Sequence, residues 1–369
     1  MKISAPGKLM LSGEWSVLEG KPCIILALDK KVSVEIEEKE ELTINAPDFG
    51  ISGVKTILKD DKVSLDASEE EKNILRLVSN ATEVSLKYLK EKGIGIKTFE
   101  LTTHSKETAV EVDGKREKLG FGSSAAITVA TVGAILTFHE QGIATQGEKE
   151  IVYKLGVLAH YFAQGKVGSS FDVAISTFGG LTKYTKPDMN WVVYEAQKEN
   201  ILDLVEKDWP NFEIKNISVP KDILFSIGFT GKGSSTKELV IKMREFKEIN
   251  SGEYWRIYNA ISDTTKNIDF YINENNPKEI LELIKRNRQL LNDLSKKSEL
   301  PLETKELALL ADLADEAGGA GKFSGAGGGD CGIAVSFDPG IKKKIEAKWK
   351  ENGIFPVNVS ISREGVKVV

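Results

Sequence analysis

The stretch Lys118-Leu-Gly-Phe-Gly-Ser-Ser-Ala-Ala-Ile-Thr-Val-Ala-Thr131 decides how the rest of the chain is interpreted. Gly120 and Gly122 allow a tight turn and a close approach of the backbone to a ligand. Ser123 and Ser124 follow, and serine favours the start of a helix. Small and apolar residues then continue, which predicts a helix that is buried nearly all round.

A buried helix that begins at a Gly/Ser loop offers free N–H groups and the positive end of its dipole. Both features favour a bound phosphate group. An ordinary loop that caps a core helix explains the same residues equally well. A motif as short as Gly120-Phe-Gly-Ser-Ser124 has little specificity for phosphate. The loop alone leaves the two interpretations open, and the remaining sequence has to distinguish them.

Length and composition limit the class of protein. A chain of 369 residues is expected to form two domains, over residues 1–180 and 181–369. The net charge of −5 excludes a nucleic-acid binder that acts through bulk positive charge. No apolar run approaches the roughly 18 residues of a membrane span. The N-terminus lacks a signal-peptide pattern, so we expect a cytoplasmic protein without nucleic-acid or membrane partners.

Cysteine and histidine usage agrees with that location. Cys23 and Cys331 are far apart and adjacent to apolar residues, which predicts buried free thiols in a reducing compartment. The three histidines have no metal-ligand spacing with each other or with cysteine. We therefore expect no zinc site.

Strand and helix patterns alternate along the chain and predict a mixed architecture. A short strand is predicted to stop at Pro6-Gly7, and residues 181–184 and 191–194 are predicted to pair as strands across a turn at Pro187-Asp188. Long helices are predicted at about 70–89, 147–164, 253–272, 278–294 and 303–316.

Two charged residues stand at glycine-containing turns near the N-terminus. Lys8 follows Pro6-Gly7, and Glu14 follows Gly13, and both lie beside apolar residues. Charges at such turns are usually only solvated. Because of their apolar neighbours, we expect these two head groups to face a cleft.

Another Gly/Ser segment precedes the lone carboxylate of Asp172. As the N-cap of a short helix at 173–177, this side chain would contribute about 1 kcal/mol. As a functional group, it would be a carboxylate in a glycine-lined and mostly apolar pocket, where its pKa can be tuned. The local sequence leaves both roles open.

Two further glycine-rich segments occur in the second half of the chain. Thr230-Gly-Lys-Gly-Ser-Ser-Thr236 is predicted to connect a strand to a helix, but it lacks the spacing of a P-loop. Five glycines fall from Gly321 to Gly329, and the apolar residues on both sides fit a flexible linker poorly. The backbone there is expected to pass close to a ligand.

Three of these segments together resemble the motifs of the GHMP kinase superfamily, which includes galactokinase, homoserine kinase, mevalonate kinase and phosphomevalonate kinase. They are Ala5-Pro-Gly-Lys-Leu-Met-Leu-Ser-Gly-Glu-Trp-Ser-Val17, Gly120-Phe-Gly-Ser-Ser-Ala-Ala126 and Lys322-Phe-Ser-Gly-Ala-Gly-Gly-Gly-Asp-Cys331, in this order. The second motif has Phe121 where leucine is usual. The resemblance spans essentially the whole chain. It implies a two-domain α+β fold, with an N-terminal domain like domain 2 of ribosomal protein S5 and a ferredoxin-like C-terminal domain.

Two other segments resemble the phosphomevalonate kinase branch, namely Ala163-Gln-Gly-Lys-Val-Gly-Ser-Ser-Phe-Asp-Val-Ala174 and Gly228-Phe-Thr-Gly-Lys-Gly-Ser-Ser-Thr-Lys-Glu-Leu239. This resemblance implies ATP-dependent phosphorylation of (R)-5-phosphomevalonate to (R)-5-diphosphomevalonate in isoprenoid biosynthesis. Mevalonate kinases carry a glutamate that helps to hold Mg²⁺ shortly before the aspartate motif. The corresponding segment here, His160-Tyr-Phe-Ala-Gln164, has no carboxylate, which favours the phosphomevalonate branch.

The resemblance also implies roles for individual residues. Lys8 and Asp172 are the expected catalytic residues at the acceptor phosphate. The ATP phosphates are expected at Gly120, Phe121, Gly122, Ser123, Ser124 and Ala125, where the hydroxyl of Ser124 or its neighbour Ser123 would reach Mg²⁺ or a phosphate oxygen. The expected substrate-binding residues, besides Lys8, are Ser12, Ser169, Ser170, Lys232, Ser235, Thr236, Gly327, Gly328 and Asp330.

Three alternatives remain open at this point. The chain could be a mevalonate kinase or another small-alcohol kinase of the same superfamily, or a diphosphomevalonate decarboxylase. It could also be an inactive member that serves as a binding module, although intact Lys8, Ser124 and Asp172 argue against this. The expected ligands are ATP, Mg²⁺ and 5-phosphomevalonate, bound by a monomer or a homodimer.

Overall fold

A computed structural model describes residues 1–105, 109–112, 115–165, 168–231 and 236–369. The strands are β1 (Lys2–Ser12), β2 (Cys23–Glu38), β3 (Thr43–Ala46), β4 (Ile51–Lys59), β5 (Lys62–Leu65), β6 (Phe99–His104), β7 (Ala109–Val112), β8 (Lys115–Lys118), β9 (Leu181–Thr185), β10 (Glu213–Ile217), β11 (Leu224–Phe229), β12 (Ala320–Phe323), β13 (Cys331–Ser336), β14 (Phe355–Val357) and β15 (Lys367–Val368). The α-helices are α1 (Glu69–Glu91), α2 (Ser123–Phe138), α3 (Gln146–Gln164), α4 (Phe171–Phe178), α5 (Met189–Ala196), α6 (Ile201–Glu206), α7 (Thr236–Ile249), α8 (Ser251–Asn273), α9 (Pro277–Ser298), α10 (Lys305–Ala317) and α11 (Pro339–Glu351). The predicted α+β class is confirmed.

Two sheets organise these elements, and β7 and β8 form a separate hairpin. In the larger sheet the described strands follow the order β10-β9-β2-β6-β3-β4-β5, while β1 pairs with β2 and β15 pairs with β1. The smaller sheet has the order β12-β13-β11-β14 and is antiparallel throughout. Strands β9, β10 and β15 come after residue 180 in sequence but belong to the larger sheet. The domain boundary expected at residue 180 stays a prediction.

Strand β1 runs through Pro6-Gly7, where the sequence predicted that it would stop. Its pairing with β2 shifts register between Pro6 and Gly7. A bulge tolerates proline in a strand because it disrupts the hydrogen-bond ladder locally. The shift also reverses the faces of the strand: Ala5 packs into the core under the helices, whereas Leu9 packs into the core between the sheets.

The helix predicted from the glycine-rich stretch is confirmed as α2, and it is buried along most of its length. With α1, α3 and α4 it packs over one face of the larger sheet. A Cβ atom added at Gly133 would lie 2.9 Å from Val366 Cγ2. This glycine therefore lets α2 approach the segment before β15 closely. The same segment is tied to α4, because the Val366 N–H donates to Thr177 O at 3.2 Å.

The opposite face of the larger sheet packs against the smaller sheet. Leu9 and Leu26 from the larger sheet share this core with Ile227 and Ile333 from the smaller one, and α8 and α9 contribute to it. The far side of the smaller sheet is covered by α10 and α11, where Trp349 is fully buried and its indole donates to Leu310 O at 2.9 Å. Strand β1 thus lies between two packed layers.

The predicted strand at 191–194 is wrong. These residues belong to α5, and β9 pairs with β10 and β2 instead. The Asp188 carboxylate accepts hydrogen bonds from the N–H groups of Asn190 (3.0 Å) and Trp191 (3.2 Å). Asp188 is therefore a helix N-cap where the sequence predicted a hairpin turn.

Both cysteines are free and buried, as predicted. Within the described ranges, no helix combines the length and the apolar character that crossing a membrane requires. The cytoplasmic location stays a prediction from the sequence.

Candidate active site

The first and second motifs meet at Lys8. The backbone N–H of Lys8 donates to the carbonyl oxygen of Phe121 at 2.8 Å. Its ammonium group donates to the carbonyl oxygen of Gly120 at 2.7 Å. Strand β1 therefore places a cation directly against the loop that leads into α2.

Gly122 is the N-cap of α2 and has a φ of 74°. A Cβ atom at this position would lie 2.8 Å from Lys8 Cγ, so glycine is needed both for the backbone conformation and for the approach of the lysine. The predicted helix start at Ser123 is confirmed, but neither serine is the cap. Because glycine has no side chain to cap the first turn, the helix dipole and its first N–H groups are available to an anion.

The third motif reaches the same place through Asp330. The Gly120 N–H donates to Asp330 Oδ1 at 3.2 Å, and a Cβ atom on Gly120 would lie 1.7 Å from Oδ2. Asp330 has a φ of 67°, and its carbonyl oxygen accepts hydrogen bonds from the N–H (2.9 Å) and the hydroxyl (3.0 Å) of Thr230. The end of β11 is thereby joined to the site.

The thiol beside Asp330 supports its carboxylate. Cys331 Sγ lies 3.3 Å from Asp330 Oδ1 and donates to it. Burial raises the pKa of the Cys331 thiol, and the neighbouring Asp330 charge raises it further. Cys331 is thus held as a protonated donor at neutral pH.

The glycines of the third motif lie farther along the same loop. A Cβ atom on Gly327 would lie 2.3 Å from Leu302 O, and the Gly328 N–H donates to that oxygen at 2.8 Å. This half of the loop is anchored on the segment before α10, while Asp330 reaches the α2 loop.

Asp172 lies in the first turn of α4, one residue after Phe171, whose ring centroid is 5.7 Å from Lys8 Nζ. The interpretation of Asp172 as the N-cap is wrong, because Ser170 precedes the helix with a φ of 56°. Asp172 Oδ1 accepts a hydrogen bond from the N–H of the adjacent Val173 at 3.0 Å. The first turn of α4 thus carries the half-buried carboxylate next in sequence to the residue whose ring faces Lys8.

Two buried tyrosines support the segment before α4. Tyr184 donates to Ser169 O at 2.9 Å, and its hydroxyl lies 2.9 Å from that of Tyr153. Burial raises the pKa of both phenols, and the Asp172 charge adds to the rise. On the other side of α4, Ser176 Oγ donates to Pro6 O at 2.8 Å, which ties the helix to β1.

Other predicted site residues have different surroundings. Ser12 is fully buried, and its hydroxyl lies 2.7 Å from Thr265 Oγ1. Lys232 and Ser235 fall outside the described residues, and Thr236 is described only as the first residue of α7. Their roles stay predictions.

The expectation that Glu14 faces a cleft is wrong. Glu14 as a whole is 1% exposed, and its carboxylate is paired with Lys322 of β12. Sequence reasoning missed this partner, although Lys322 is the first residue of the third motif. The sequence signal that could have indicated the partner is the charge of Lys322 at the edge of a glycine-rich motif.

Among the residues that the structure describes, no group of three or more His, Cys, Asp or Glu side chains could hold a metal ion. Mg²⁺ at nucleotide sites is usually held by one or two carboxylates together with substrate phosphates and water. The few oxygen donors near the start of α2, such as the Ser124 hydroxyl, therefore fit a metal that arrives with the nucleotide.

Comparisons with known proteins identify the family. Residues 77–180 match the family model for the GHMP kinases N terminal domain, and residues 271–354 match that for GHMP kinases C terminal. Phosphomevalonate kinase from Streptomyces sp. (strain CL190) is 30% identical, over 98% of this chain and 97% of that protein. Mevalonate kinase from Pyrococcus furiosus is 28% identical, over 99% and 97%.

A similar solved structure is that of Streptococcus pneumoniae phosphomevalonate kinase in complex with phosphomevalonate and AMPPNP. It has a TM-score of 0.81 and 23% sequence identity, and the match covers 98% of this chain and 100% of that one. At this identity the likeness concerns the fold. With matches over both halves and a full-length relative at 30% identity, the chain belongs to the GHMP kinase family and has its two-domain fold.

Proposed function

We propose that this chain transfers the γ-phosphoryl group of ATP to (R)-5-phosphomevalonate and forms (R)-5-diphosphomevalonate. The observation that carries the proposal is the meeting of Lys8, Gly120 and Asp330 at the start of α2. A cation, free helix N–H groups and glycine backbone in one place suit two anionic ligands that face each other. The name of the Streptomyces relative and the ligands of the S. pneumoniae structure support this pair of substrates.

The acceptor suits a site in which a strong base is not required. The second pKa of a phosphate monoester is about 6, so its attacking oxygen is already largely anionic at neutral pH. Asp172 would orient the acceptor and take up its last proton, while Lys8 would neutralise negative charge as the new bond forms. To reach the ligand, the Lys8 ammonium exchanges its bond to Gly120 O for one to a phosphate oxygen.

The end of α3 supports the phosphomevalonate branch. His160 Nε2 and Gln164 Nε2 lie 3.0 Å apart in its last turn. The family resemblance places a Mg²⁺-binding glutamate in this region of mevalonate kinases. Because neither residue of this pair is a carboxylate, the acceptor phosphate would meet no opposing carboxylate there.

The nucleotide would bind at residues 120–125, with its phosphates on the first N–H groups of α2. Bound with ATP, Mg²⁺ would neutralise charge between the phosphates. The Ser124 hydroxyl is the side-chain group proposed to contact it. The acceptor would lie toward residues 169–170 and 327–330, with residues 232–236 as proposed contacts to its phosphate. Ser12 would contribute only after its buried bond to Thr265 has opened.

Mevalonate kinase is the second candidate, because the Pyrococcus furiosus relative aligns over nearly the full length of both chains. Steady-state turnover of ATP with 5-phosphomevalonate and with mevalonate separates the two. We expect kcat/KM to favour 5-phosphomevalonate by about 100-fold or more, since a site built for a phosphate leaves its charged groups unpaired with an alcohol. Preference for mevalonate would refute the proposed substrate.

The role of Asp172 has its own test. Asp172→Asn keeps the size of the side chain but removes its charge and its capacity to take up a proton. We expect kcat to fall by about 1,000-fold, within the range known for acid–base groups. Titration calorimetry with a non-hydrolysable ATP analogue should show binding close to that of the unmodified enzyme. Near-normal turnover in this variant would remove Asp172 from the mechanism.

A further inference from the structure

A buried ion pair lies near the site but has no part in the chemistry described above. Glu14 follows β1, and Lys322 lies in β12, 308 residues away in sequence. The Lys322 ammonium donates to Glu14 Oε1 and also to Phe323 O, which is 2.8 Å away. Both side chains are completely buried. The pair therefore links two parts of the chain that are distant in sequence.

These two parts are the first and the third motifs. A second link between them lies close by, since Ser324 Oγ accepts from the Met10 N–H and donates to Met10 O, both at 2.9 Å. In β1, Lys8 comes shortly before Met10. In the third motif, Asp330 closes the loop that begins after Ser324. The strand that carries Lys8 is thus fixed against the strand from which residues 325–330 depart.

Stability alone does not account for the pair. Burial raises the pKa of Glu14 and lowers the pKa of Lys322, and the charge of each residue opposes the shift of the other. Glu14 Oε2 forms no hydrogen bond of ordinary geometry with any described residue. Apolar residues of similar volume in place of a buried ion pair are often neutral or stabilising. What the charged pair adds is a fixed geometry between two loops.

We propose that Glu14 and Lys322 are a positioning pair, whose contact sets the separation between Lys8 and the loop of residues 325–330. The inference rests on the proposed function, because it takes Lys8 and this loop to act on the same pair of substrates. Because both side chains are completely buried, we expect neither to contact a substrate. Displacement of a reacting group by about 1 Å can lower a rate by about 100-fold. A rigid link between the two motifs can therefore affect the rate without contacting the substrates.

Three variants of the full-length chain test the proposal. Lys322→Met leaves the Glu14 carboxylate unpaired, whereas the double variant Glu14→Leu with Lys322→Met replaces both charges by apolar side chains. Glu14→Asp keeps the charge but shortens the side chain by one methylene. A matched control is Lys183→Met with Asp269→Leu, which removes a partly buried pair (2.9 Å) between β9 and α8. Unfolding in urea, kcat, the KM of each substrate and the Kd of a non-hydrolysable ATP analogue are measured for each.

We expect Lys322→Met to lose stability and activity together. The double variant should recover most of the lost stability while its kcat stays about tenfold or more below that of the parent, with the Kd of the ATP analogue within about twofold. The control variant should keep its kcat. If the double variant regains the parent's kcat along with its stability, the pair is only structural and the proposal is wrong.

Glu14→Asp keeps the test decisive if the double variant does not fold. A kcat about tenfold or more below the parent's, in a variant whose unfolding midpoint is retained, supports positioning, and an unchanged kcat overturns it. All comparisons use whichever acceptor the parent phosphorylates. A parent that prefers mevalonate refutes the proposed substrate, yet the ratio between variant and parent still decides the role of the pair.

Discussion

The two glycine-rich loops that meet beside Lys8 use glycine for different reasons. In the α2 loop (residues 120–124), Gly120 and Gly122 make room, since a Cβ atom would strike Asp330 at one position and Lys8 at the other. In the β12–β13 loop (residues 325–330), Gly325, Gly327, Gly328 and Gly329 all have positive φ, and so does Asp330. In the α2 loop both glycines are required by a close approach, although Gly122 also has a positive φ. In the β12–β13 loop every glycine has a positive φ, and Gly327 adds a close approach to Leu302.

This difference predicts that substitutions in the α2 loop act on ATP binding and catalysis, whereas those in the β12–β13 loop lower stability, affect the acceptor side and spare ATP binding. Among the glycine substitutions, the largest effect is expected for Gly122→Ala. Its methyl group would displace Lys8 and distort the start of α2, so kcat/KM for ATP should fall by about 100-fold, equivalent to about 2.7 kcal/mol. Steady-state kinetics measure it. A fall of less than about threefold would mean that the approach of Lys8 to the loop is dispensable.

Gly327→Ala should mainly lower stability. Its Cβ would lie 2.3 Å from Leu302 O, and its φ is 79°. Strain of this kind costs about 1–3 kcal/mol, which urea unfolding would detect as a lower midpoint. The KM for ATP should change by less than about twofold, because the substitution is away from the α2 loop. A raised KM for ATP without loss of stability would reverse the assignment of the two loops.

Gly325→Ala separates backbone strain from steric conflict in the same loop. Its φ is 89°, but no described atom lies within 4 Å of the added Cβ. Only the cost of a left-handed conformation applies, about 1 kcal/mol. Unfolding measured side by side should show a smaller loss than for Gly327→Ala. Equal losses would show that Leu302 moves aside at no cost.

The smallest effect is expected for Gly147→Ala, which serves as a control for both loops. Gly147 lies in the first turn of α3, and no described atom lies within 4 Å of an added Cβ. Alanine favours a helix over glycine, so stability should rise by up to about 0.5 kcal/mol with unchanged kinetics. Thermal unfolding and the ATP assay check the two halves of this expectation. A change in kcat here would show that activity responds to glycine replacement in general.

Sequence reasoning found the parts of the site that depend on local chemistry. The apolar run after Gly122 predicted a buried helix, and the glycine-rich segments predicted close backbone approaches, because both follow from residue type and order. It failed where distant partners decide the structure. Pro6-Gly7 reads as a strand end, but a bulge opposite β2 carries the strand through.

Two further failures have separate causes. Residues 191–194 have strand propensity, yet Asp188 caps a helix there and β10 takes the pairing position beside β9. Glu14 could not be assigned a partner, because Lys322 lies 308 residues away and only the folded chain brings them together. The first failure is an unrecognised local cap, and the second is a long-range contact that the sequence does not reveal.

Strand β1 pairs with β2, which follows it closely in sequence, and with β15, which lies more than 350 residues later at Lys367–Val368. During translation, the edge that pairs with β15 stays open until residue 368 has been made. An open edge invites pairing with other chains, so a nascent polypeptide carries this hazard for most of its synthesis. The site itself needs Asp330 beside Gly120, so a nascent chain that has not reached this residue would not present the assembled site.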